Sequence, residues 1–211
     1  MAANTTSTPP PSPLPLPELI GRVAVLGGSA SDKSTLVVGL AHRQTRQQGI
    51  VLCLDARHHQ QVELQLRLLL RQQTHYRYVR VSREVPEEVA RDVLSVVGNS
   101  LSQHTLLPPL LLCDCLAESL DWERTIQFLL KANATIVEVL TTPTALTFGR
   151  YDTVLLLPES EHAAETLSRA VGRKVSGTDI TQLKSGEGWL VHLTQVYRVR
   201  LPHIEDYKGH T

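Results

Sequence analysis

Apolar runs of strand length alternate with segments of helical spacing along most of the 211-residue chain. This alternation predicts an α/β fold: a three-layer sandwich with a mostly parallel sheet covered on both faces. Two further observations point the same way. The first apolar run ends in glycines and feeds straight into a helical segment. The last two runs read as a closing antiparallel pair.

The elements follow in order. Met1 to Pro17 is Thr-, Ser- and Pro-rich (TTSTPPPSPLPLP) and reads as a disordered tail outside the fold. The domain is expected over residues 18–202, with residues 203–211 as a flexible C-terminal tail. Arg22 to Leu26 (RVAVL) is a buried strand. Lys33 to about Gln48 has helical spacing, through Leu36, Val37, Leu40 and Ala41, and stops at Gly49. Ile50 to Leu54 is a second buried strand ending at Asp55, and Gln60 to Gln73 is helical. Tyr76 to Val81 alternates as a strand does, and Pro86 opens a helix to about Leu101 with Glu87 and Glu88 in its first turn. Leu110 to Leu112 leads into Cys113 and Asp114 as the most apolar strand. Asp121 is placed to cap a helix from Trp122 to Ala132. Thr135 to Leu140 and Thr153 to Leu157 are strands, and Ser160 to Val171 is a helix. Trp189 to Leu193 and Val196 to Leu201 form the closing pair around Thr194-Gln195.

Length and composition fit one globular domain. Twenty-one basic and 21 acidic residues balance, so no bulk attraction to nucleic acid or an anionic membrane is implied. No apolar stretch approaches the roughly 20 residues of a membrane span, and the N-terminus lacks the pattern of a secretory signal. Cys53, Cys113 and Cys115 lie in or beside buried apolar runs and read as reduced thiols, so a reducing, cytoplasmic setting is expected.

The segment between the first strand and the first helix carries the chemistry. Gly27-Gly28-Ser29-Ala30-Ser31-Asp32-Lys33-Ser34 reads as the phosphate-binding pattern G-x-x-x-x-G-K-[ST] with one departure. In that pattern glycine-rich backbone amides wrap the phosphates, the lysine neutralises them and the hydroxyl holds magnesium. Gly27, Lys33 and Ser34 keep the spacing, and Thr35 follows. Asp32 stands where the second glycine belongs. It adds a Cβ where backbone must approach phosphate, and a negative charge beside an anionic ligand. The bland alternative is a Gly/Ser turn with Asp32 as a helix N-cap. A second pattern falls in the right place: Leu110-Leu-Leu-Cys-Asp114, four apolar residues and an aspartate at a strand's end, as in a Walker B strand. Ser34 and Asp114 are thus the candidate magnesium ligands, and ATP with magnesium the candidate ligand pair.

With these residues in place the chain resembles the RecA-fold P-loop ATPases over about residues 20–202. Two branches compete. The FtsK and HerA translocases, conjugative coupling proteins and viral packaging ATPases are similar in layout. They share a strand ending in Asp55 after the P-loop helix, a Walker B strand, and Thr135-Ile-Val-Glu-Val-Leu-Thr-Thr-Pro143 as the strand that ends in a polar sensor. Leu183-Lys-Ser-Gly186-Glu187-Gly-Trp-Leu-Val191, followed by Arg198-Val-Arg-Leu-Pro202, resembles that branch's close. RecA and its recombinase paralogues are the alternative. Cys53-Leu-Asp-Ala-Arg-His58 resembles their stretch bearing the catalytic glutamate, and Asp114-Cys-Leu-Ala-Glu-Ser-Leu120 their Walker B continuation.

Both branches activate water with a glutamate, which the resemblance puts at Cys115 or at Arg57 here. Neither is a carboxylate. The sensor position falls on Thr141 or Thr142. A positioned general base contributes about 10²–10⁴-fold, so slow hydrolysis at best is expected. Glu138, inside a strand buried on both faces, is the candidate catalytic residue if that strand neighbours the Walker B strand; pairing with an arginine is the alternative. Glu118 and Asp55 are lesser candidates.

Other features carry less. His42, His58, His59 and His75 match no metal-ligand spacing. Arg67, Arg71, Arg77 and Arg80 with Tyr76 and Tyr78 suit either single-stranded nucleic acid or a solvated face. Arg150 is placed as an arginine finger towards a neighbouring subunit. The resemblance implies a degenerate P-loop ATPase-like protein, an accessory or regulatory subunit in DNA translocation, transfer or packaging with weak or absent hydrolysis. An active DNA-dependent ATPase or RecA-like repair mediator, and a non-enzymatic interaction module, are the alternatives. Self-assembly, or assembly with an active ATPase, is the implied partnership, and DNA the implied substrate.

Overall fold

The computed structural model describes residues 12–27, 30–55, 60–69, 76–80, 107–114, 120–140, 150–158, 183–193 and 195–202, with positions 91, 93–95 and 98 between them. It holds β1 (Leu14–Pro15), β2 (Arg22–Leu26), α1 (Ala30–Arg46), β3 (Val51–Asp55), α2 (Gln60–Leu69), β4 (Tyr76–Arg80) and β5 (Leu110–Asp114). α3 (Leu120–Lys131), β6 (Thr135–Val139), β7 (Thr153–Leu156), β8 (Glu187–His192) and β9 (Gln195–Arg200) follow. The expected helices at 86–101 and 160–171 lie largely or wholly outside the described residues.

The strands form one sheet in the order β1-β9-β8-β7-β2-β6-β5-β3-β4. From β7 to β4 every pairing is parallel, while β8 runs antiparallel to β7 and β9. β2, β3, β6 and β7 are buried along their whole length, as strands covered on both faces must be. Alternate side chains divide the core. Val23, Val25, Val51, Cys53, Leu110, Leu112, Val137 and Val139 meet Leu36, Leu40 and Ala41 of α1 and Val62 and Leu66 of α2. Leu52, Leu54, Leu111, Cys113 and Ile136 meet Trp122, Ile126 and Leu129 of α3 on the other face. This is the three-layer α/β architecture read from the sequence.

Four boundaries differ, each for a local reason. Leu14–Pro15, placed in the tail, pair in parallel with Val199–Arg200, and Leu16 is buried beneath them. α1 begins at Ala30, so Asp32 is in its first turn rather than an N-cap, where its charge complements the helix dipole. α3 begins at Leu120, which puts Asp121 inside the helix rather than at its cap. The closing hairpin reverses between His192 and Gln195, one residue early, because His192 pairs with Gln195 and Leu193 takes a φ of 53°.

Candidate functional site

Gly27 ends β2 with a φ of +75°, a conformation in which a side chain would be strained. α1 begins at Ala30, beyond the C-terminal end of β2. Gly28 and Ser29 lie outside the described residues; Ala30, Ser31, Asp32, Lys33, Ser34 and Thr35 occupy the first turns of α1. A helix N-terminus at a strand's C-terminal end presents unpaired amides to an anion.

The register fixes where Asp114 stands. Val25 pairs with Val139, and Val139 with Asp114. Asp114 is therefore level with the last residues of β2, on the same edge as Gly27 and the α1 N-terminus, with only β6 between them. Two strand spacings separate the backbones by about 10 Å. The row continues to Asp55 and Arg80. Asp55 is 4% exposed, and it shares strand parity with Val51 and Cys53, so it faces the α1 layer. Of the lesser carboxylate candidates, Asp55 is thus brought to this edge; Glu118 lies outside the described residues.

Lys33 reaches across the edge. Its Nζ donates to the Leu140 carbonyl, 3.3 Å away, at the end of β6. Asp32 Oδ1 accepts from Ser185 Oγ at 3.3 Å. Ser185 sits in the turn before β8, whose antiparallel course returns it to the same edge of the sheet. Neither Ser185 nor the Leu140 carbonyl was a sequence candidate. A backbone carbonyl carries no sequence signal, and Ser185 lies 153 positions from Asp32.

Glu138 is beside the Walker B strand, in register with Cys113. Its side chain, however, belongs to the face of Ile136 and α3, opposite the α1 layer. There Arg22 Nε donates to Glu138 Oε2 at 2.6 Å, and Arg22 Nη1 donates to both oxygens of Glu123 at 2.9 and 3.0 Å. The Arg22 guanidinium also lies 4.8 Å from the Tyr151 ring centroid. Of the two readings open for Glu138, the structure holds the arginine pair. Burial opposes the Arg22 charge, but the hydrogen bond and charge of Glu138, with Tyr151 and Glu123, hold the guanidinium above its ordinary range. Burial likewise opposes the Glu123 charge; the Gln127 hydrogen bond and Arg22 outweigh it and keep Glu123 below the usual carboxylate range, with Arg150 adding to the effect. Arg57, Cys115, Thr141 and Thr142 lie outside the described residues, as do His58, His59 and His75.

Solved structures share this fold. The DNA-packaging ATPase B204 of Sulfolobus turreted icosahedral virus superposes with a TM-score of 0.62 at 10% identity, over 87% of this chain and 98% of that one. The genome-packaging NTPase B204 of Sulfolobus turreted icosahedral virus 2, in complex with ATP-gammaS, gives 0.59 at 11%, over 86% and 97%. VirB4 of Thermoanaerobacter pseudethanolicus gives 0.55 at 12%, over 86% and 89%. The chain has the fold of these packaging ATPases and of VirB4. No protein-family model and no curated protein matches the chain by sequence. Among the described residues no helix is long and apolar enough to cross a membrane.

Proposed function

We propose that this chain binds a nucleoside triphosphate with magnesium at the α1 N-terminus and serves as an accessory or regulatory subunit of a DNA-translocating or DNA-packaging assembly. One observation carries the reading: Gly27, the α1 N-terminus and Asp114 share one edge of the sheet, a single strand apart. The donor set fits magnesium, since the Ser34 hydroxyl and the Asp114 carboxylate are hard oxygen ligands that leave the remaining positions to phosphate and water. Lys33 is within reach of that edge and would exchange the Leu140 carbonyl for phosphate oxygens. When bound, magnesium would offset the phosphate charge.

Hydrolysis is weak or absent on this reading. Cys115 and Arg57 supply no carboxylate, and Glu138 is committed to Arg22. A DNA role rests on the fold shared with a DNA-packaging ATPase, and the balanced charge of the chain puts any DNA contact in a local patch or on a partner. Assembly with an active ATPase would supply the missing base.

Thermal denaturation with and without ATP–Mg tests the site. A ligand at 100 times its Kd stabilises by about 2.7 kcal/mol, so a concentration-dependent rise in Tm is expected, abolished in Lys33→Ala. No shift at millimolar ATP–Mg would refute nucleotide binding. A magnesium-dependent and Lys33-dependent turnover at ordinary enzymatic rates would replace the accessory reading by an active ATPase.

A further inference from the structure

The phosphate loop is tied to the C-terminal hairpin at two heights. At the first turn of α1, Asp32 Oδ1 accepts from Ser185 Oγ. Two turns further along, Gly39 lies so close to Pro202 that a Cβ there would be 2.5 Å from the Pro202 carbonyl oxygen. The turn that presents Ser185 is itself firmly built. Gly186 takes a φ of +83°. The Lys184 amide donates to Glu187 Oε2 at 2.9 Å, and Arg198 Nη2 donates to the same oxygen at 2.6 Å. The Leu201 amide donates to the Gly186 carbonyl at 2.8 Å. Ser185 is thus offered to Asp32 from a fixed platform that continues through β8 and β9 to Pro202.

Resting on the nucleotide-binding reading above, we propose that Asp32 and Ser185 form a latch that holds the phosphate loop in a ligand-free conformation, and that a triphosphate must open it. Asp32 occupies, in the first turn of α1, the position that the phosphate-binding pattern gives to its second glycine. An arriving phosphate repels the Asp32 carboxylate and draws the first turn of α1 towards itself, and both effects pull Asp32 from Ser185. Because the Gly39–Pro202 contact fixes α1 lower down, this movement is passed to the 184–187 turn rather than dissipated along the helix. The residue that departs from the phosphate-binding pattern is then a regulatory element that reports phosphate occupancy at the β8–β9 edge.

ATP–Mg is titrated calorimetrically against the wild type, Ser185→Ala, Asp32→Asn and Lys33→Ala, and deuterium exchange is followed at residues 184–187. Ser185→Ala keeps the Asp32 charge and removes the latch; Asp32→Asn keeps the hydrogen-bond acceptor and removes the charge. The latch predicts that Ser185→Ala binds ATP about 2- to 10-fold more tightly than the wild type, the worth of one hydrogen bond. It also predicts that ATP alters exchange at 184–187 in the wild type and not in Ser185→Ala, where the connection to Asp32 is cut. Tighter binding by Asp32→Asn with Ser185→Ala unchanged would assign the effect to charge alone and overturn the latch while leaving the nucleotide site standing. No binding by any variant would overturn both.

Discussion

Arg22 shows what one buried charge does in this fold. It is 4% exposed, yet its guanidinium joins β6 through Glu138, α3 through Glu123 and the segment before β7 through Tyr151. Its own amide donates to Asp152 at 2.8 Å. Removing one partner of such a group leaves the other charge buried without compensation. Arg22→Met is therefore expected to cost about 3–5 kcal/mol in urea unfolding, and Arg22→Met combined with Glu138→Leu to recover most of that loss. Both variants retain Lys33 and the α1 turn, so nucleotide affinity of the folded fraction should be unchanged. A Glu138→Gln variant that kept its stability but lost ATP turnover would contradict the structural role. At this scale local spacing was legible: Gly27 follows a strand, and Lys33 and Ser34 lie in the helix after it, as the spacing predicts. Arg22 was not legible, because its partner lies 116 positions away and nothing in RVAVL marks the arginine as buried.

At the scale of elements, the β8–β9 hairpin depends on a carboxylate. Glu187 accepts from the Lys184 amide and from Arg198, and its side chain is only 12% exposed. Burial pushes the Glu187 carboxyl up, but these bonds outweigh it and hold it below its ordinary value. The sign of the pH effect follows. A group depressed in the folded state contributes its stability above the unfolded-state value, near about 4.3, and loses it as pH falls through the lower folded value. Glu187→Gln should consequently be less stable than the wild type at neutral pH, with the gap narrowing below about pH 4 as the wild-type carboxyl becomes protonated. Urea midpoints from pH 7 to pH 3 measure this; a constant gap would show that the Glu187 charge is not involved. The hairpin was legible as a pair of β-rich runs. Its turn was displaced by one residue because cross-strand register, not the identity of Thr194-Gln195, sets where the chain reverses.

Across the whole molecule, strand identity could be read from the sequence, whereas strand order could not. Apolar runs reveal strands because both faces are buried, but placing β6 between β2 and β5 depends on packing among residues more than 100 positions apart. That placement is what puts Asp114 one strand from Gly27 and the α1 N-terminus. The N-terminal limit of the domain was hidden for a different reason: prolines at 13, 15 and 17 argue against a central strand. Pro15 is tolerated in β1 because it is an edge strand. The sheet end is nonetheless tied into the core. Leu16 is 6% exposed, its amide donates to the Arg200 carbonyl at 3.0 Å, and its carbonyl accepts from Arg43 Nη1 of α1 at 3.0 Å. Deleting residues 1–17 removes these ties and exposes the core under β9, whereas deleting residues 1–11 keeps them. Burial of one leucine side chain is worth about 1.5–3 kcal/mol, so the longer deletion should lose at least that much against the shorter in urea unfolding. Equal midpoints for the two would return β1 to the tail and place the domain boundary at residue 18.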